Sequence, residues 1–166
     1  MKIFINIIAL LIMFFASASA TENVNSISSD TVNASNPEAE WSKPLPYPCT
    51  GNAYIVEHFD EDETLDMQEH KKNNKGVVFK TEEGALAQSV SDGIVSAVFV
   101  YAGKYSVIIR HAEYLSVYSG LENVTVKRDQ KVSALHPIGK VNKENLLGFQ
   151  WRKGKNPINP ENLFSI

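Results

Sequence analysis

The sequence predicts a mainly β domain, a small antiparallel sheet of barrel-like form, preceded by a disordered N-terminal segment. Three observations predict it. Residues 76–121 are rich in Val, Ile and Tyr, and Gly84, Asp92-Gly93, Gly103-Lys104, His111-Ala112 and Gly120 divide them into short runs of strand length. Within those runs side chains alternate, as Val95, Ala97, Phe99 and Tyr101 do with Ser96, Val98 and Val100. Residues 21–48 instead carry Ser, Asn, Glu and Pro with no apolar period, a composition that buries too little to fold.

The elements follow in order. Residues 1–20 read as a signal peptide: Lys2, an apolar run from Ile3 to Phe15, and Ala18-Ser19-Ala20 as the cleavage signature. The run is shorter than the roughly 20 residues a membrane span needs. No stable membrane anchor is expected after cleavage, and the location expected is secreted, periplasmic or at the cell envelope. Residues 21–48 form a flexible polar, Pro-rich linker, with Pro44, Pro46 and Pro48 keeping its end extended. Trp41, Leu45 and Tyr47 are candidates to tack that end onto the domain. Residues 49–73 are an acidic extension: AYIVEHF suits a short strand, and DEDETLDMQEHKK a solvated turn or short helix. The β domain proper spans residues 74–166. Ser106–Arg110 and Tyr114–Tyr118 continue it with short turns that suit a meander.

Charge is uneven. Thr21–Val100 holds 14 acidic and 5 basic residues, and Tyr101–Ile166 holds 5 acidic and 10 basic, within a chain of net charge −3. The basic half suits an anionic partner such as a wall polymer or an acidic protein face. Its cations are not interleaved with a stacking aromatic platform, so no nucleic acid is expected. Cys49 is the one cysteine and makes no internal bridge. No His or Lys stands beside it in Pro48-Cys49-Thr50-Gly51 to activate it, and an inert thiol is expected. His58 and His70 flank the acidic run, but no EF-hand or His-Glu-x-x-His pattern is present, nor Gly-x-Ser-x-Gly. His111 and His136 are expected to be structural.

Several short pieces, in order, resemble the LytM or lysostaphin-type zinc peptidases that cut peptide cross-links in bacterial cell walls. Gly84 to Gly93 resembles their Gly-x-x-Val-x-Ala-x-x-x-Gly turn and strand. Gly103 with Tyr105–His111 resembles their Gly-x-x-Val-x-Ile-x-His hairpin, and Leu115–Leu121 their Leu-Tyr-x-His-Leu strand end. Val126–Val132 and His136–Gly139 are similar to two further turns. Phe149-Gln150-Trp151-Arg152 resembles Phe-Glu-x-Arg, and Asn159-Pro160 the ending.

The resemblance also implies where zinc would sit, and there the chain departs from the pattern. Asn74, Val78 and Gly148 stand at the three ligand positions, and Gly120 and Leu146 at the two catalytic histidines. Catalytic zinc needs about three N, S or O ligands with a position left for water. Val78 and Gly148 offer none, so zinc, and with it the activated water, is expected to be lost. What remains is the groove, with Asn74, Val78, Tyr118, Gly120, Leu146, Gly148 and Trp151 as binding candidates. Of Phe149 and Trp151, only one is expected to face its floor. EnvC-type degenerate LytM domains resemble this arrangement. The resemblance then implies a non-catalytic envelope module that binds and regulates a peptidoglycan hydrolase of the amidase class, or binds cell-wall peptide. The alternative is a zinc-dependent cell-wall endopeptidase with non-standard ligands.

Overall fold

The computed structural model describes residues 41, 43–59 and 74–164. The residues read as a signal peptide, most of those read as a linker, and the acidic run with His70 lie outside the described residues. Ten strands form one antiparallel sheet system: β1 (Ala53–Glu57), β2 (Val77–Thr81), β3 (Leu86–Gln88), β4 (Gly93–Tyr101), β5 (Lys104–His111), β6 (Tyr114–Val124), β7 (Lys131–Val132), β8 (Pro137–Val141), β9 (Leu146–Lys153) and β10 (Asn156–Ile158). A 3-10 turn, Glu161–Leu163, follows. The strand order is β1-β2-β9-β6-β5-β4-β7, with β10 on β9, and β8 joining β3 to β6. The expected mainly β fold is what the chain adopts.

The meander β4-β5-β6 follows from its turns. Ala102 and Gly103 both have positive φ, which matches the twist that a two-residue hairpin needs. The pairing that builds the site is not local: β9 inserts between β2 and β6. β6 runs beside β9 as far as Ser119 and beside β8 from Leu121. The turnover point is Gly120, at φ +84°. A Cβ there would lie 2.8 Å from the Leu146 carbonyl oxygen, so only glycine lets the two backbones meet.

One face of the sheet carries the core. Val77, Phe79, Leu147, Phe149, Trp151, Tyr118, Leu121 and Ile109 are fully buried there, each worth about 1.5–3 kcal/mol where the side chain is aliphatic or Phe. The strap before β1 closes over it. Leu45 donates its N–H to Leu163 O at 2.6 Å, and Tyr47 and Phe164 pack their rings on Phe79 at 5.8 and 5.5 Å. Trp41 meets Tyr114 and Trp151 edge-on at 5.3 and 5.0 Å, so the three tacking residues expected from the sequence do contact the domain. Cys49 is buried, and burial pushes its thiol up to about 11, which keeps it protonated and inert at neutral pH.

Two details differ from the simple alternation. β4 carries a bulge between Val95 and Ala97. Val95 and Val98 therefore face the core, while Ala97 and Phe99 turn to the other face and pack beside Ile108 and Val117. Phe149 and Trp151 are two residues apart on one strand and share a face, so both side chains are core, and of the two only Phe149 borders the groove.

His111 is buried beneath the β5–β6 turn. Its Nδ1 lies 2.8 Å from Asp92 O and its Nε2 2.7 Å from Ser116 Oγ, with the ring 5.5 Å from Trp151. A carbonyl only accepts, so Nδ1 carries the proton and the Ser116 hydroxyl donates to Nε2. Burial lowers the His111 pKa, opposed in part by Asp92. The folded state thus binds a proton less readily than the unfolded chain. This contribution to stability is complete above the ordinary histidine pKa near 6.5 and is lost as pH falls from there toward the folded value. Urea midpoints are expected to fall between pH 7.5 and pH 5, and His111→Gln is expected to flatten that part of the profile.

Candidate functional site

The face opposite the core carries a groove over β2, β9 and β6. Register builds it. Val78 of β2 pairs with Gly148 of β9, which pairs with Ser119 of β6. A bulge in β1 sets Glu57 opposite Val78. The result is a cavity of about 110 Å³ whose wall includes Asn74, Gly76, Val78, Ser119, Gly120, Leu146, Gly148 and Gln150, with Glu57 on one rim and Lys104 and Asn142 on the other. Three glycines explain its depth. At Gly76 a Cβ would fall 2.4 Å from Phe149 O, and at Gly148 2.3 Å from Ser119 Oγ.

Hydrogen bonds fix the rims. Asn74 is buried and its Nδ2 donates to His58 O at 3.0 Å. His58 in turn meets Glu161 at 2.8 Å, which also accepts from Phe59 N at 2.8 Å. Opposite, Asn142 Nδ2 donates to Leu146 O at 2.8 Å. Lys104 pairs with Glu144 at 2.5 Å, and Lys80 Nζ donates to Glu144 O at 2.8 Å. The Lys104 hydrogen bond holds the Glu144 carboxyl below its ordinary range.

Five of the seven residues singled out in the sequence, Asn74, Val78, Gly120, Leu146 and Gly148, meet in this groove. Tyr118 and Trp151 do not. Tyr118 is buried in the core, its oxygen accepting from Val90 N at 3.0 Å and its pKa pushed up to about 12 by burial. Trp151 stacks on Tyr114 at 5.3 Å and 11°. Both sit at core-facing register, which the distant pairing of β6 and β9 decides.

Ser119, Asn142, Lys104, Gln150 and Glu57 are groove residues that the sequence reading did not single out. Gln150 alone had a signal, standing at the Glu of Phe-Glu-x-Arg. Among the described residues no three His, Cys, Asp or Glu side chains come together in a way that could hold a metal ion.

The profile of peptidase family M23 matches residues 72–160, the span that builds β2 to β10 and the groove. The chain belongs to peptidase family M23. No curated protein sequence matches it. Among solved structures, the M23 domain is similar to Csd3 of Helicobacter pylori, at 26% identity and a TM-score of 0.65, over 75% of this chain and 35% of that one. A zinc-containing peptidase from Vibrio cholerae shares the fold at 21% identity and a TM-score of 0.63, over 71% and 39%. A chain of the SpoIIIAH–SpoIIQ complex does so at 22% and 0.62, over 71% and 98%. The chain thus spans about a third of the Csd3 chain's length.

Proposed function

We propose that this M23 domain is a non-catalytic module of the bacterial cell envelope that binds a partner through its groove. The favoured partner is a peptidoglycan hydrolase that it regulates, and the second is cell-wall peptide itself. One observation carries the reading. The five positions that match the family's zinc ligands and catalytic histidines converge on one groove, and they are Asn, Val, Gly, Gly and Leu.

The residues present do not fit zinc. Val78 and Gly148 have no side-chain donor atom, and Asn74 offers only a neutral amide oxygen, a weak ligand that cannot hold zinc alone. The residue at the family's glutamate position is neutral Gln150, so carboxylate has gone along with imidazole. A groove without a metal to balance has no need of either. That one relative was solved within a protein–protein complex fits a binding role for the fold.

The test uses the purified mature chain with cell-wall sacculi and with a peptidoglycan amidase. Expected are no release of wall peptide by the chain alone, and either wall binding or altered amidase rate. Val78→Trp fills the groove from a strand position without the backbone strain that Gly120 would impose, and it is expected to abolish the effect at least about tenfold. Wall digestion by the chain alone would reject the proposal in favour of a peptidase with unusual ligands.

A further inference from the structure

Arg152 lies on the groove-facing side of β9, two residues from Gln150, and is only 7% exposed. Its Nη1 donates to Gln150 Oε1 at 3.1 Å and its Nη2 to Lys155 O, while Nε has no partner. Among the described residues no carboxylate pairs with it. Buried guanidinium groups are ordinarily neutralised, because desolvating an unpaired charge is expensive. Among the described residues that counter-charge is missing.

The chemistry of the guanidinium settles the orientation of Gln150. Arginine only donates, so the amide oxygen faces Arg152 and the amide NH2 turns away from it. Gln150 also forms part of the groove wall, which it shares with Ser119 and Lys104. Its NH2 is a donor backed by a buried positive charge, in surroundings where charge is poorly screened. A glutamate at this position would cancel that charge. Glutamine passes it on.

We infer that the groove selects a peptide carboxylate, held by Gln150 with Arg152 as the buried counter-charge. This rests on the groove being the binding site proposed above. The carboxylate is a chain terminus or an acidic side chain, and the probes separate the two.

The test titrates the isotope-labelled chain by NMR with three peptides: acetyl-trialanine with a free C-terminus, its C-terminal amide, and acetyl-Ala-Glu-Ala amide. The groove resonances of Gly76, Gly120, Gly148 and the Gln150 side chain are followed. At least one carboxylate probe is expected to bind about tenfold more tightly than the neutral amide. Gln150→Glu and the volume-matched Arg152→Met are each expected to erase that preference. Gln150→Glu is also expected to raise the urea midpoint by completing the ion pair, so it remains informative if Arg152→Met fails to fold. Equal affinity for all three probes, or a preference that survives both substitutions, overturns the inference and leaves groove binding standing. No shift from any probe also overturns the inference, and groove binding is then decided by the sacculus and amidase assays alone.

Discussion

Replacing Asn74 by His, Val78 by Asp and Gly148 by His, together with Ser119→Ala, is expected to give a chain that holds about one zinc ion where the natural chain is expected to hold none. The geometry favours this outcome. Val78 and Gly148 are direct partners across β2 and β9, and Asn74 lies in the same wall. The fourth change is needed because a Cβ at residue 148 would meet Ser119 Oγ at 2.3 Å. Without that oxygen the nearest Ser119 atom stands off at 3.7 Å. Metal analysis after gel filtration checks it. Failure of the folded variant to retain zinc would mean that the three positions do not converge as the register says.

Trp151→Ala is expected to lower the free energy of unfolding by about 3–5 kcal/mol, the range for removing a large buried aromatic side chain. The loss includes the stack on Tyr114 and the contacts with Trp41 and His111. Trp151 Nε1 is buried with no partner, so no hydrogen bond is broken, and Trp151→Phe is expected to cost much less. Urea denaturation followed by circular dichroism measures both. A groove residue would behave differently: Trp151→Ala would then leave stability nearly unchanged and weaken binding instead.

Much of the fold was legible because alternation and turn residues are local signals. Gly103 and the Val- and Ile-rich runs mark β4, β5 and β6 without reference to anything distant. The strap residues Trp41, Leu45 and Tyr47 were legible as isolated apolar side chains in a polar segment. The bulge at Val95 and Ala97 was not, since an extra residue in one strand leaves no mark on composition, yet it reverses which side chains reach the core.

The groove was legible in part for the same reason. Asn74, Val78, Gly120, Leu146 and Gly148 stand at positions fixed by motif spacing, and the register brings them together. Tyr118 and Trp151 are sequence neighbours of groove residues, but a strand sends successive side chains to opposite faces. Lys104 opens β5 and Asn142 follows β8, and their meeting at the rim depends on the pairing of β6 with β8 and β9. Arg152 shows the other limit. Its charge reads as surface in the sequence, and only the packing of β9 between two strands reveals it as buried.

The most direct measurement is the zinc content of the purified mature chain after exposure to equimolar zinc and removal of free metal. The account predicts well below about one tenth of an equivalent, with no change in thermal midpoint on adding zinc. One equivalent of tightly held zinc, lost together with any wall-cleaving activity on chelation, would contradict it.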